Sequence, residues 1–301
     1  MTSNIILIFI DGIGLGEESD LNPFYTTNMT YLNSILGEKL GSNINISKEN
    51  VLVKGVDACL GITNSPPQSA TGQASLLTGI NAAQLLGYHL TAYPNEELIQ
   101  MIHQHNILKK VQTMGLSGTF SNAYDIERYN RNIQSGKIRH SVTTHCVLST
   151  GLPFRTIEQL KQNQAIYWDI TGDYLSDYHP DLGSIDPYVA GQNLSNLSKE
   201  NNFVLFECFL PDLIGHKKKW KEAELFLKTF DRFIEGCHRH LDQNTSIVIS
   251  SDHGNMEDLS KGSHTYNEVP LIVLGPACTY FIDNKSITDV SKSIILSLTN
   301  N

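Results

Sequence analysis

The chain has 301 residues and carries 22 Lys and Arg against 31 Asp and Glu, a formal charge of −9. That balance argues against general affinity for nucleic acid or an acidic membrane surface, both of which call for clustered cations; the length suits one large α/β domain, with or without an inserted unit. Five scattered cysteines with no C-x-x-C pair exclude a zinc-knuckle or dithiol redox motif and are expected as reduced thiols.

Residues 4 to 16, NIILIFIDGIGLG, begin as an unbroken apolar run rich in β-branched residues. Such a run predicts a central strand buried on both faces, and ligands of α/β sheets collect at the carboxyl ends of their strands. The glycines give G-x-G-x-G rather than the dinucleotide fingerprint, and the acidic residues that follow would repel a pyrophosphate. The carboxylate of Asp11 is therefore the feature to explain. The amino terminus shows no basic n-region or small-residue cleavage site, and no apolar run approaches a membrane span, so a cytoplasmic chain without a signal peptide is expected.

The stretch GSNINISKEN, residues 41 to 50, reads as a polar surface loop. Residues 64 to 79, NSPPQSATGQASLLTG, set Ser and Thr hydroxyls among small residues at a helix start. Backbone N–H groups and the helix dipole would favour a phosphate there, although a plain N-cap has the same local signature. From about residue 90 to 200 the strand-like runs shorten (GTFSNAY, AIYWDIT) and polar loops become frequent. This predicts a smaller α+β unit at 89–200 inserted into a core made of 1–88 and 201–301.

The last third returns to buried-strand patterns at FVLFECFL (203 to 210), SIVIS (246 to 250) and VPLIVLG (269 to 275). Between the first two, Ala223, Phe226, Leu227, Phe230, Phe233, Ile234 and Cys237 recur at helical spacing, which predicts an amphipathic crossover helix from Trp220 to Leu241 and parallel strands on either side. A final helix is expected over SITDVSKSIILSLT, with Ser286 as N-cap.

Three of these segments put metal-binding side chains beside strand ends: Asp212 with His216, Asp252 with His253, and His264. A lone D-x-x-x-H is more often an ordinary loop; the joint occurrence is what signifies. With Asp11 there are three carboxylates and three imidazoles, a mixed donor set that suits Zn²⁺ or Mn²⁺ and exceeds one tetrahedral site. A two-metal cluster is the economical reading, since a pair about 3.5–4 Å apart clamps the attacking and leaving oxygens of phosphoryl transfer.

In order, Asp11, QSATGQ, DLIGH, SDHGN and HTYNEVPLIV resemble the alkaline-phosphatase-like metalloenzyme superfamily, nearest the branch of cofactor-independent phosphoglycerate mutase and phosphopentomutase. The resemblance covers roughly 1 to 85 and 200 to 301, and DHGN with HTYNEVPLIV is its most specific part. It implies an α/β fold with a mostly parallel central sheet flanked by helices, plus a smaller inserted α+β cap. It also implies that Asp11, Ser69, Asp252 and His253 hold one divalent ion and Asp212, His216 and His264 the other, with Ser69 as the phosphorylated nucleophile. The ions would be Mn²⁺ or Zn²⁺, with Mg²⁺ as the harder alternative.

Departures from the pattern are Gln73, where both mutase branches usually carry His, the run Lys217 to Lys219 after His216, and a shorter insert. A sulfatase would need C/S-x-P-x-R, and SPPQS lacks the Arg. The expected activity is transfer of a phosphoryl group from a small phosphate monoester to water. A phosphomutase is the second reading. A catalytically silent metal-binding regulator is the third and would call for a lost ligand, whereas every ligand position is filled. Arg128, Arg131, Arg139 and Arg155 are the candidate substrate cations of the cap; the oligomeric state is not legible.

Overall fold

The computed structural model describes residues 3–136 and 139–299. Nine strands occur in chain order among them: β1 (Asn4–Ile10), β2 (Ile46–Lys48), β3 (Val51–Val56), β4 (Gly118–Phe120), β5 (Ala123–Tyr124), β6 (Arg155–Thr156), β7 (Phe203–Cys208), β8 (Thr245–Ser250) and β9 (Val269–Leu274). Seven form one twisted layer in the order β2-β3-β9-β8-β1-β7-β4. β1 lies at its heart, parallel to β7 on one side and to β8 on the other. β4 extends the parallel set beyond β7, while β9 runs antiparallel to both β8 and β3. The fold is α/β with a mixed sheet, in which the parallel portion surrounds β1.

The alternation of β1 divides the core. Ile5, Leu7 and Phe9 face one apolar cluster and Ile6, Ile8 and Ile10 the other, all at most 1% exposed, as a period of two requires for a strand covered on both faces. The helix Trp220–Arg239 covers the second face with every residue of its expected apolar stripe buried. The helices Ser69–Thr78 and Ile287–Thr299 cover the first, and the Ser286 hydroxyl accepts from the Thr288 N–H at 3.3 Å as the expected cap. The strands joined by the crossover helix run in the same direction, with β1 between them rather than adjacent to one another.

Two local expectations change. The polar stretch 41 to 50 contains the edge strand β2, because Ile44 and Ile46 bury their side chains beneath an otherwise hydrophilic surface. The run AIYWDIT forms only a bridge, Asn122 to Ile166, and then turns. Within 89–200, the helices Glu96–His105, Ile107–Thr113 and Val142–Thr150 send Leu98, Ile102, Leu108, Val111 and Val147 into the first core cluster. A small satellite cluster of Ala123, Ile157, Leu160, Ala165 and Leu175 sits beside the β5–β6 pair.

Candidate active site

Topology brings the candidate ligands to one edge of the sheet. Asp11, Asp212 and Asp252 follow β1, β7 and β8, which are mutually parallel, so all three emerge from the same carboxyl edge. His264 precedes β9, whose opposite direction puts its amino end at that edge too. Gly12 makes the close approach possible: its φ is +76°, and an added Cβ would lie 2.8 Å from the Asp212 Cα.

Ser69 is the first residue of its helix; Gln68 occupies the N-cap position, so Ser69 is not a plain cap. Its Oγ lies 3.0 Å from His253 Nε2. The same nitrogen is 3.3 Å from Asp11 Oδ1 and 3.6 Å from Asp252 Oδ2. Beside this group, Asp212 Oδ2 is 3.3 Å from His216 Nε2 and its Oδ1 is 3.4 Å from His264 Nε2. The His253 and His264 rings stack with centroids 3.6 Å apart. All seven candidate ligands thus converge, and the tightest donor groupings are Asp11, Asp252 and His253, then Asp212, His253 and His264, with His216 more exposed at the margin.

The surroundings orient the ligands. His264 Nδ1 meets the Pro67 carbonyl at 2.8 Å and His216 Nδ1 meets the Gly262 carbonyl at 3.2 Å. A carbonyl only accepts, so each Nδ1 carries a proton; in the neutral ring Nε2 is then free to offer its lone pair to a cation, whereas in the ion-free imidazolium it donates to Asp212. Glu257 ties three ligand-bearing loops together: it accepts from Gly14 N at 2.9 Å, Asn255 N at 2.7 Å and Asn267 Nδ2 at 3.0 Å, and from the Thr265 hydroxyl.

Among the described residues no Lys or Arg forms an ion pair with Asp11, Asp212 or Asp252, and Asp11 Oδ1 and Asp252 Oδ2 are buried without a hydrogen-bond donor. Burial, then the charges of Asp252 and Asp212, push the Asp11 carboxyl well above its ordinary range. Burial, then Asp212, lifts Asp252 to about 7, and burial followed by the neighbouring His264 lowers His253 to about 3. Asp212 goes the other way: burial opposes its charge, yet bonds from His216 and His264 hold it below the usual carboxylate range. Orphaned carboxylate oxygens with bare imidazole nitrogens between them are what divalent cations relieve, so the donor set fits such ions.

A cleft of about 440 Å³ opens over Ser69 and Asp11. Of the four arginines expected to grip substrate, Arg139 lines it. Arg128 instead lies over the Tyr178 ring at 4.0 Å, and Arg131 is exposed beside Glu127 at 3.9 Å. Arg155 is committed to the Gln164 carbonyl at 2.6 Å and to Thr119 Oγ1 at 3.1 Å. The departure Gln73 is buried and donates through Nε2 to Asp11 Oδ2 at 3.1 Å.

The cleft also holds residues that sequence reasoning missed, including Tyr124, Tyr129, His140 and Glu207. Glu207 is a lone carboxylate inside the β7 run FVLFEC, buried at the cleft wall, and accepts from the Thr143 hydroxyl at 2.7 Å. Burial raises it to about 7 despite that bond. A raised folded-state pKa favours the protonated fold: its stability is present below the unfolded value near 4.5 and is lost as pH climbs through about 7. In the chelator-treated chain, Glu207→Gln is therefore expected to shrink the loss of stability between pH 5 and pH 8 by roughly 3 kcal/mol, measured by denaturant unfolding at both values. An unchanged pH dependence would contradict this.

A family model described as the metalloenzyme superfamily matches residues 3–300. The chain belongs to the metalloenzyme superfamily. It is 26% identical over 108 residues to a phosphopentomutase of Alkaliphilus metalliredigens, covering 34% of this chain and 28% of that enzyme. It is 33% identical over 85 residues to a 2,3-bisphosphoglycerate-independent phosphoglycerate mutase of Acetivibrio thermocellus, covering 26% of this chain and 17% of that enzyme. Less than a third of either curated relative's length is thus matched. The structure of alkaline phosphatase from the Antarctic bacterium TAB5 superimposes with a TM-score of 0.57 at 14% identity, covering 100% of this chain and 99% of that one. The core therefore has an alkaline-phosphatase-like fold, and its sequence relatives include phosphomutases. Among the described residues no helix is long and apolar enough to cross a membrane.

Proposed function

We propose that the chain is a metal-dependent phosphohydrolase that acts on a small phosphate monoester through a phosphoserine at Ser69. The observation that carries this reading is the Ser69 hydroxyl at the first position of its helix, 3.0 Å from His253 Nε2 and facing the buried carboxylates. Asp11, Ser69, Asp252 and His253 would hold one divalent ion and Asp212, His216 and His264 the other. Bound there, such ions supply a lowered hydroxyl pKa and compensation of charge on the phosphoryl oxygens.

The chain's own groups do the rest. The helix start directs unpaired N–H groups and the positive end of its dipole at an incoming phosphate, and Arg139 at the cleft wall adds a cation. Ser69 Oγ bonds to phosphorus as the ester oxygen departs with a proton to give the alcohol. Water then attacks the same phosphorus, releasing inorganic phosphate and restoring the hydroxyl. Water is favoured as acceptor because the insert is short, whereas a mutase must keep its phosphoserine dry during transfer. Gln73, tied to Asp11, also departs from the His usual in the mutase pattern.

The ion-loaded protein is expected to carry two divalent ions per chain by elemental analysis; one ion or none in an active preparation would contradict the cluster. Supplied with sugar phosphates, a phosphoglycerate and an aryl phosphate, it is expected to release inorganic phosphate steadily. Isomerised product with little free phosphate would instead establish the mutase reading. A full complement of ions with neither product would establish the silent regulator.

A further inference from the structure

Next to the Ser69 cleft lies a second cavity of about 250 Å³, and Tyr124, Tyr129, Glu207 and Phe209 face both. Its volume falls below the roughly 300–1,000 Å³ of pockets that hold a whole ligand, so it suits one part of a molecule whose remainder occupies the cleft. Its wall is aromatic: Tyr124, Tyr129, Tyr167, Trp168 and Phe209. Trp168 and Phe209 stack face to face, nearly parallel, with centroids 4.1 Å apart and planes at 14°. The platform is fixed from behind, because the buried Asp169 carboxylate accepts from Gly172 N at 2.7 Å and Tyr174 N at 2.8 Å, holding the Tyr174 ring 4.8 Å from Trp168.

Most polar groups at the cavity are already engaged: the Arg128 guanidinium lies over the Tyr178 ring at 4.0 Å, the Tyr124 hydroxyl meets Thr144 Oγ1 at 3.0 Å, the Tyr129 hydroxyl meets His140 Nδ1 at 3.4 Å, and Glu207 accepts from Thr143 at 2.7 Å. Asn122 exchanges both amide ends with the backbone of Glu207, at 2.7 and 3.0 Å. Asp125 is engaged by Arg128 N at 2.9 Å and His179 Nε2 at 3.1 Å. A sugar ring would leave hydroxyls unmatched here, at the cost of desolvating them. A flat ring needs only faces to stack on and one polar edge, which Asn132 at the cavity supplies.

We propose that this cavity is a subsite for the leaving group, and that the preferred substrates are phosphate monoesters of alcohols bearing a planar aromatic ring, a nucleobase or an aryl group. The proposal rests on the hydrolase reading for the position of the phosphoryl group and on the cavity for the ring. Trp168 would then be a specificity residue.

The test compares kcat and KM for adenosine monophosphate, naphthyl phosphate, glycerol phosphate and ribose phosphate, and in parallel follows quenching of Trp168 fluorescence by adenosine and naphthol in chelator-treated protein. The ring-bearing esters are expected to have KM values about tenfold lower than the ring-free ones. Trp168→Leu should remove that advantage through KM with kcat little changed, Trp168→Phe should restore it, and glycerol phosphate should respond to neither. The stronger of the adenosine and naphthyl arms identifies the kind of ring. Equal KM across all four esters, or a Trp168→Leu effect shared by all of them, would overturn the proposal. Absence of turnover with every ester would refute the hydrolase reading alone; saturable quenching by adenosine or naphthol, unchanged in Trp220→Phe and not produced by glycerol or ribose, would still uphold the ring subsite, and its absence would overturn that too.

Discussion

Ser69→Ala is expected to lower kcat on the order of 10⁴- to 10⁶-fold, the scale on which nucleophile removal acts in enzymes that form a covalent intermediate. The loss should come without unfolding. Ser69 is only part-buried at the first turn of its helix, so truncation removes one oxygen and little packed area, while Ala70, Ala74, Leu76 and Leu77, which anchor that helix in the core, are untouched. Thr71 is the neighbouring hydroxyl of the same motif, but its Oγ1 is bound to the Gln68 carbonyl at 3.1 Å and His89 Nδ1 at 3.1 Å, inside the helix packing rather than toward the ligands. Near-normal turnover by Ser69→Ala together with an inactive, folded Thr71→Ala would reverse the assignment; kinetics and far-ultraviolet circular dichroism on both variants decide it.

Removal of metal should have the next largest effect, and on two observables together. Three carboxylates meet at one edge of the sheet, and among the described residues their only ion-pair partners are histidines. An ion that binds the fold and not the unfolded chain stabilises by about 4 kcal/mol at a thousandfold excess over its Kd. For two ions in a domain of this size, chelation should lower Tm on the order of 10 °C and abolish turnover, and re-addition of Mn²⁺ or Zn²⁺ should restore both. A Tm indifferent to chelator in an ion-loaded preparation would mean that these carboxylates are held by something else. Asp252→Asn should reproduce part of the activity loss while raising the Tm of the chelated chain, because it removes one of the mutually repelling buried charges.

What could be read from the sequence follows from how locally each feature is encoded. The strands β1, β7, β8 and β9 were legible because strands covered on both faces are written as continuous apolar runs, and their ends carried chemically distinctive residues. The helix Trp220–Arg239 was legible for the same local reason, its stripe repeating at helical spacing. β2 was not, since an edge strand of three residues with two exposed positions looks like any polar loop. Glu207 was hidden in another way: nothing in FVLFEC says that its carboxylate meets Thr143, some sixty positions earlier, or that it faces the cleft. The arginines show the converse limit. All four were equivalent as charges in sequence, and only tertiary packing separates Arg139 at the cleft from Arg155 bound to Thr119 and Gln164.

The most direct test of phosphoryl transfer through Ser69 is a rapid acid quench of the ion-loaded protein during turnover of a radiolabelled phosphate monoester, followed by peptide mapping. The label is expected on the peptide that contains Ser69, absent from Ser69→Ala, and discharged to inorganic phosphate when the substrate is exhausted. Continued phosphate release with no label on that peptide, or label retained elsewhere in an active Ser69→Ala protein, would contradict it.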